Sequence, residues 1–84
     1  MPKLAMIAGV RIAIWPNDHE PSHVHCYYNG QECRLAITNS ELIDGDLERA
    51  KLIAVKLWLD TNRNQIAFAW REIMSGRGFK GKIV

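Results

Sequence analysis

Residues 23–37, HVHCYYNGQECRLAI, place an Asn-Gly pair at positions 29 and 30 between two runs that alternate in polarity. Asn-Gly favours two-residue type I′ turns, because both central positions of such a turn need positive φ. The pair therefore predicts a β-hairpin and sets its register. Counting outward, Tyr28 faces Gln31, Tyr27 faces Glu32, Cys26 faces Cys33, His25 faces Arg34 and His23 faces Ala36. Side chains alternate across a strand, so Val24, Cys26, Tyr28, Cys33, Leu35 and Ile37 share one face. His23, His25, Tyr27, Glu32, Arg34 and Ala36 share the other. The first set is read as core and the second as an open, polar sheet face.

Upstream, GVRIAIW (9–15) alternates Val10, Ile12 and Ile14 against Arg11, Ala13 and Trp15, the pattern of a half-buried strand that Pro16 ends. The turn formers of PNDHEPS (16–22) make a loop, in which Pro21 biases Glu20 toward extended backbone. Downstream, TNSE reads as a turn and LIDGD as a short strand. Asp46 then N-caps a helix over 47–62 with Ala50, Ile53, Ala54, Leu57 and Trp58 as its inward stripe. Asn62, with Gln65 in the capping-box position, opens a second helix with Ile66, Ala69, Trp70 and Ile73 inward. A linker this short predicts an antiparallel helix hairpin. The expected fold is α+β: a small antiparallel sheet of three to four strands followed by an antiparallel two-helix hairpin packed on one face. The histidine face is then the uncovered one.

A chain of 84 residues hides only about 60% of its unfolded surface, which leaves room for one core. Residues 1–75 are read as a single domain and 76–84 as a flexible basic tail. With 48% apolar and 24% charged residues the composition is that of a globular domain, not of a disordered chain. The longest apolar run, LIAVKLWL, contains Lys56 and is too short to span a bilayer, and Arg11 breaks the apolar opening. No membrane partner is expected, the location is read as cytoplasmic, and Cys26 and Cys33 as reduced core thiols. Net charge is +2, split as −3 over residues 1–46 and +5 over 47–84. The basic second half can meet an anionic partner or simply be solvated. P-loop, HExxH and GxSxG motifs are absent, which argues against those nucleotide-binding, metalloprotease and hydrolase classes.

All three histidines lie within residues 17–26, NDHEPSHVHC. His23 and His25 project the same way from one strand, about 7 Å apart at their attachment points, a spacing from which two imidazoles reach one metal ion. His19 or Asp18 would add a third ligand. No cofactor is taken as the expectation; zinc, with His19, His23 and His25 as candidates, is the alternative. Without a metal, His23, His25 and His19 supply acid and base groups, while Arg11 and Arg34 stabilise a phosphodiester transition state. Tyr27 and Glu32 complete that set, or Glu32 and Arg34 merely pair across the hairpin. Trp15 shares the face and either stacks on a base or is covered by the loop. For Asp18 and His19 a loop-pinning role stands beside the functional one.

The order of these signals, with DHEPSHVH at 18–25, resembles a small bacterial family known only as domain of unknown function number 4160. The matching residues are Met1, Pro2, Asp18, His19, Pro21, His23, His25, Gly45, Leu47, Trp58 and Trp70, spread over about residues 1–74. Ser22 stands where members often carry proline, and Cys26 where they carry an apolar residue. The resemblance implies no particular reaction. Its genes often stand beside those of another small family, as in toxin and antitoxin pairs, which implies a protein partner encoded nearby. The reading adopted is a module component of that type, using the exposed His/Arg face on RNA or on a protein partner. The alternatives are a non-catalytic interaction module binding through its basic helices and tail, and a metal-dependent hydrolase built on the histidines. Oligomeric state is not legible.

Overall fold

Asn29 and Gly30 both adopt positive φ, 50° and 78°, and the strands they join pair in the register that the turn dictates. The computed structural model describes residues 3–78. In it β3 (His23–Tyr28) and β4 (Gln31–Ala36) form the middle of a five-stranded antiparallel meander. The other strands are β1 (Lys3–Ile7), β2 (Val10–Ala13) and β5 (Leu42–Gly45). Helices α1 (Arg49–Thr61) and α2 (Arg63–Met74) follow. The α+β class is as expected, but the strand count is five, not three to four.

The extra strand is β1. It turns into β2 through Ala8 and Gly9, at φ 52° and 82°, so a second two-residue turn of the same kind is present. Alanine rarely takes that conformation and gives no turn signal. An irregular register between Lys3 and Ala5 leaves Leu4 and Ala5 both buried, which erases the period-two pattern. β2 then pairs with β3, setting Arg11 against Tyr27, Ile12 against Cys26 and Ala13 against His25.

Val10, Ile12, Ile14, Val24, Cys26, Cys33, Leu35 and Ile37 form the sheet side of the core, each at most 1% exposed. Tyr28, assigned to this face, is half-buried at its rim. The two thiols are free and buried. Cys26 is pushed well above the usual thiol range, first by its hydrogen bond to Cys33 and then by burial. Both facts agree with reduced thiols that serve as packing groups.

The helices complete the core differently from expectation. On α2 the inward residues are Ile66, Ala69, Trp70 and Ile73, as the spacing predicts. On α1 they are Val55, Trp58 and Leu59, while Ile53 and Leu57 are exposed. The reason is that α1 is apolar on two sides, and periodicity alone cannot choose between them. Neither predicted cap forms. Asp46 donates its N–H to Glu32 O, α1 starts at Arg49, and Asn62 closes α1 by donating Nδ2 to Trp58 O. Only Asn62 separates the helices, and backbone bonds run on through it, from its N–H to Trp58 O and from Ile66 N–H to its own O. Antiparallel hairpins close on loops of two to five residues. The helices therefore meet at a bend, correcting the expected hairpin. Neither described helix is long and apolar enough to cross a membrane.

Arg63 locks this bend to the sheet. Its Nε donates to Ile37 O at 2.9 Å, and its Nη2 donates to Ser40 Oγ and Asp60 Oδ1, both at 2.6 Å. Ser40 Oγ in turn donates to Asp60 Oδ1 at 2.5 Å. The Ser40 hydroxyl first, then Arg63, hold the Asp60 carboxyl below its ordinary range. A carboxylate depressed in the folded state stabilises fully above its unfolded pKa and loses that contribution as pH falls through the folded value. The denaturation midpoint should therefore drop below about pH 4. Asp44 with Arg34 and Glu72 with Arg77 act in the same direction. Chemical denaturation followed from neutral pH into acid should show a shallower acid limb for Asp60→Asn than for the parent. Asp60 is exposed, so the difference should be small.

Of the basic tail read at 76–84, residues 79–84 lie outside the described residues. Gly76, Arg77 and Gly78 fold against the end of α2, where Arg77 Nη2 donates to Glu72 Oε2 at 2.6 Å.

Candidate functional site

The loop between β2 and β3 carries a carboxylate back onto the strand that holds two histidines. Pro16 and Asn17 make a turn in which Asp18 N–H donates to Trp15 O at 3.3 Å and Asn17 takes φ 73°. Proline second and positive φ third is the type II pattern. The turn aims Asp18 inward, where its Oδ2 lies 3.3 Å from His23 Nε2 and 3.1 Å from His25 Nε2. Ligand atoms of the three residues all fall within 4.8 Å of one another.

The two rings differ in surroundings. His23 is 2% exposed. Its Nδ1 donates to Pro21 O at 2.8 Å, and Trp70 packs against the ring with centroids 5.3 Å apart. His25 is half-buried, 5.0 Å from His23 by centroids, and Tyr27 lies parallel to it at 6.2 Å. Its Nδ1 is 3.8 Å from Glu32 Oε2, beyond hydrogen-bond length. His23 Nε2 and His25 Nδ1 are therefore buried ring nitrogens without an aligned hydrogen bond. A neutral His23 that donates from Nδ1 presents a lone pair at Nε2, facing a carboxylate oxygen. Two acceptors at 3.3 Å repel, so a proton or a metal ion has to lie between them.

This corrects the expected open histidine face. The β2–β3 loop and Trp70 cover its His23 end, and only the His25 end reaches solvent. Arg34 lies opposite His25 in the register, but its Nε and Nη2 both donate to Asp44, Nε at 2.9 Å. That pairing holds its guanidinium against β5. His19 is exposed and stands outside the cluster; Asp18 is the third member. Trp15 is half-buried and donates Nε1–H to Tyr27 Oη at 2.8 Å, which braces its ring edge against β3. Arg11 lies over the Tyr27 ring, 4.8 Å from its centroid. Glu32 is exposed and turned toward His25.

Trp70 beside His23 was not legible, because helical spacing says only that a residue is inward and not which sheet residue it meets. The basic helix faces are partly spent inside the fold: Lys51 Nζ donates to Ala8 O at 2.8 Å and Arg63 holds the bend.

A family model with the description "Domain of unknown function (DUF4160)" matches residues 9–71, well over half of the chain. The match contains Asp18, His23, His25, Glu32 and Trp70. No curated protein and no solved structure matches.

Proposed function

We propose, for a chain that belongs to the DUF4160 family, that Asp18, His23 and His25 form a divalent metal centre of the hydrolytic class. The observation that carries this reading is the pair of buried, unsatisfied ring nitrogens, His23 Nε2 and His25 Nδ1. An ion beside Asp18 accounts for the first directly and for the second through a change of tautomer at His25. Metal-binding histidines characteristically donate their other ring N–H to a carbonyl or carboxylate. His23 does so already through Nδ1 to Pro21 O, which leaves Nε2 as the ligand. For His25, moving the proton from Nε2 to Nδ1 frees Nε2 for the metal and turns Nδ1–H toward the Glu32 carboxylate, 3.8 Å away.

Ligand type and spacing favour zinc. Two imidazoles and a carboxylate are a common catalytic zinc set, and bonds of 2.0–2.1 Å place tetrahedral ligands about 3.3 Å apart. The two edges that meet at Asp18 Oδ2 are 3.3 and 3.1 Å. A zinc ion held by Asp18, His23 and His25 would supply Lewis acidity for hydrolysis near neutral pH. In a module of the toxin and antitoxin type, the substrate proposed for such a centre is RNA, with Arg11 as the cation on the same sheet face. A protein encoded nearby would then be the antagonist that covers the His25 end.

Metal analysis of untagged protein tests this. About one zinc per chain should remain after gel filtration, and Asp18→Asn and His23→Gln should each carry almost none. Parent protein without stoichiometric metal after zinc loading, or full occupancy in both variants, would remove the centre.

A further inference from the structure

Helix α1 has a second apolar side that the fold leaves uncovered. Ile53 and Leu57, one turn apart, are 57% and 66% exposed, opposite the buried Val55, Trp58 and Leu59. Exposed Arg49 and Asp60 lie on the same outer side, at the two ends of the helix. At 100° per residue the four residues fall on one stripe. At 1.5 Å rise, the midpoint of the apolar pair is about 9 Å from Arg49 and about 7.5 Å from Asp60 along the axis.

These distances make the stripe complementary to itself. A second α1, laid antiparallel about a two-fold axis through that midpoint, sets Ile53 opposite Leu57 of the second copy. It also sets Arg49 opposite Asp60 of the second copy, on the same edge of the seam, and symmetry repeats both contacts. A parallel arrangement would instead set Arg49 against Arg49. The hydrogen bonds that Asp60 accepts from Ser40 and Arg63 both end on Oδ1. We infer that the outer face of α1 is the seam of a homodimer, with a second copy of this chain as its occupant. The seam shares no residue with the metal centre and stands independently of it.

Sedimentation equilibrium of the full chain, from about 5 µM to about 500 µM, covers the affinities expected of a small interface. The mass should rise with concentration from 9.6 kDa toward twice that value. Leu57→Glu buries a charge in the seam and should leave monomer throughout. Arg49→Glu, which sets two acids against each other, should weaken association about tenfold. Both positions are exposed, so far-UV circular dichroism should match the parent. A parent that stays at monomer mass over the whole range overturns the dimer, as does unchanged association in Leu57→Glu. An unchanged constant in Arg49→Glu overturns the antiparallel seam.

Discussion

Gly45→Ala should cost about 3 kcal/mol or more, from strain and overpacking together. Gly45 ends β5 at φ 86° and pairs with Cys33. A Cβ there would stand 2.2 Å from Glu32 O and 2.7 Å from Cys33 Cα. Both are backbone atoms in the middle of the sheet, so neither can swing aside. Non-glycine residues at such φ already pay roughly 1–2 kcal/mol before any clash. Against a total stability on the order of 8 kcal/mol for a domain of this size, the loss is large. It should lower the melting temperature by about 15 °C or more. Gly30→Ala provides the control. Gly30 has a comparable φ of 78°, but a Cβ there meets nothing within 4 Å. Its cost should be the backbone part alone, about 1–2 kcal/mol. Equal melting temperatures for the two variants would show that the close approach at Gly45 relaxes freely.

Zinc should raise the stability of the parent by about 2.7 kcal/mol when free metal is about one hundred times the dissociation constant. The gain is mass action on a site that exists only in the folded chain, because the β2–β3 loop brings Asp18 to the strand. A chelator should reverse it. His23→Gln should abolish the increment, since it removes one of the three ligands. Glu32→Gln should keep the site but weaken it about tenfold, because it replaces the carboxylate that would hold His25 Nδ1–H. Differential scanning fluorimetry with zinc, magnesium and chelator reads all of these. A zinc shift that survives in His23→Gln would place the ion elsewhere.

The middle of the fold was legible in the sequence because one dipeptide carries geometric information. Asn29 and Gly30 name both a turn type and a register, and the five residue pairs named from it follow without any knowledge of tertiary structure. β1 was not legible, since Ala8 does in its turn what asparagine does at position 29. The inward face of α1 was misread for a different reason: the chain encodes two apolar stripes, and which one is buried depends on the angle at which the helix meets the sheet. For the site, the spacing of His23 and His25 revealed that the rings point together. It could not reveal that Pro16 and Asn17 return Asp18 to them, or that Arg34 has Asp44 as a partner from β5. Those contacts join segments whose approach is fixed by the whole sheet.

The strand order 1-2-3-4-5 has a kinetic consequence. Every ladder joins neighbours along the chain, so loop closure costs little entropy and the assembly can zip outward from a local nucleus. The tight turns at residues 8–9 and 29–30 make the two cheapest closures. The connection over 14–22 is the longest between strands, and it is the one that bears Asp18. Both imidazoles are thus in line as soon as the central ribbon forms, whereas the carboxylate arrives only when the slowest link of the meander has closed.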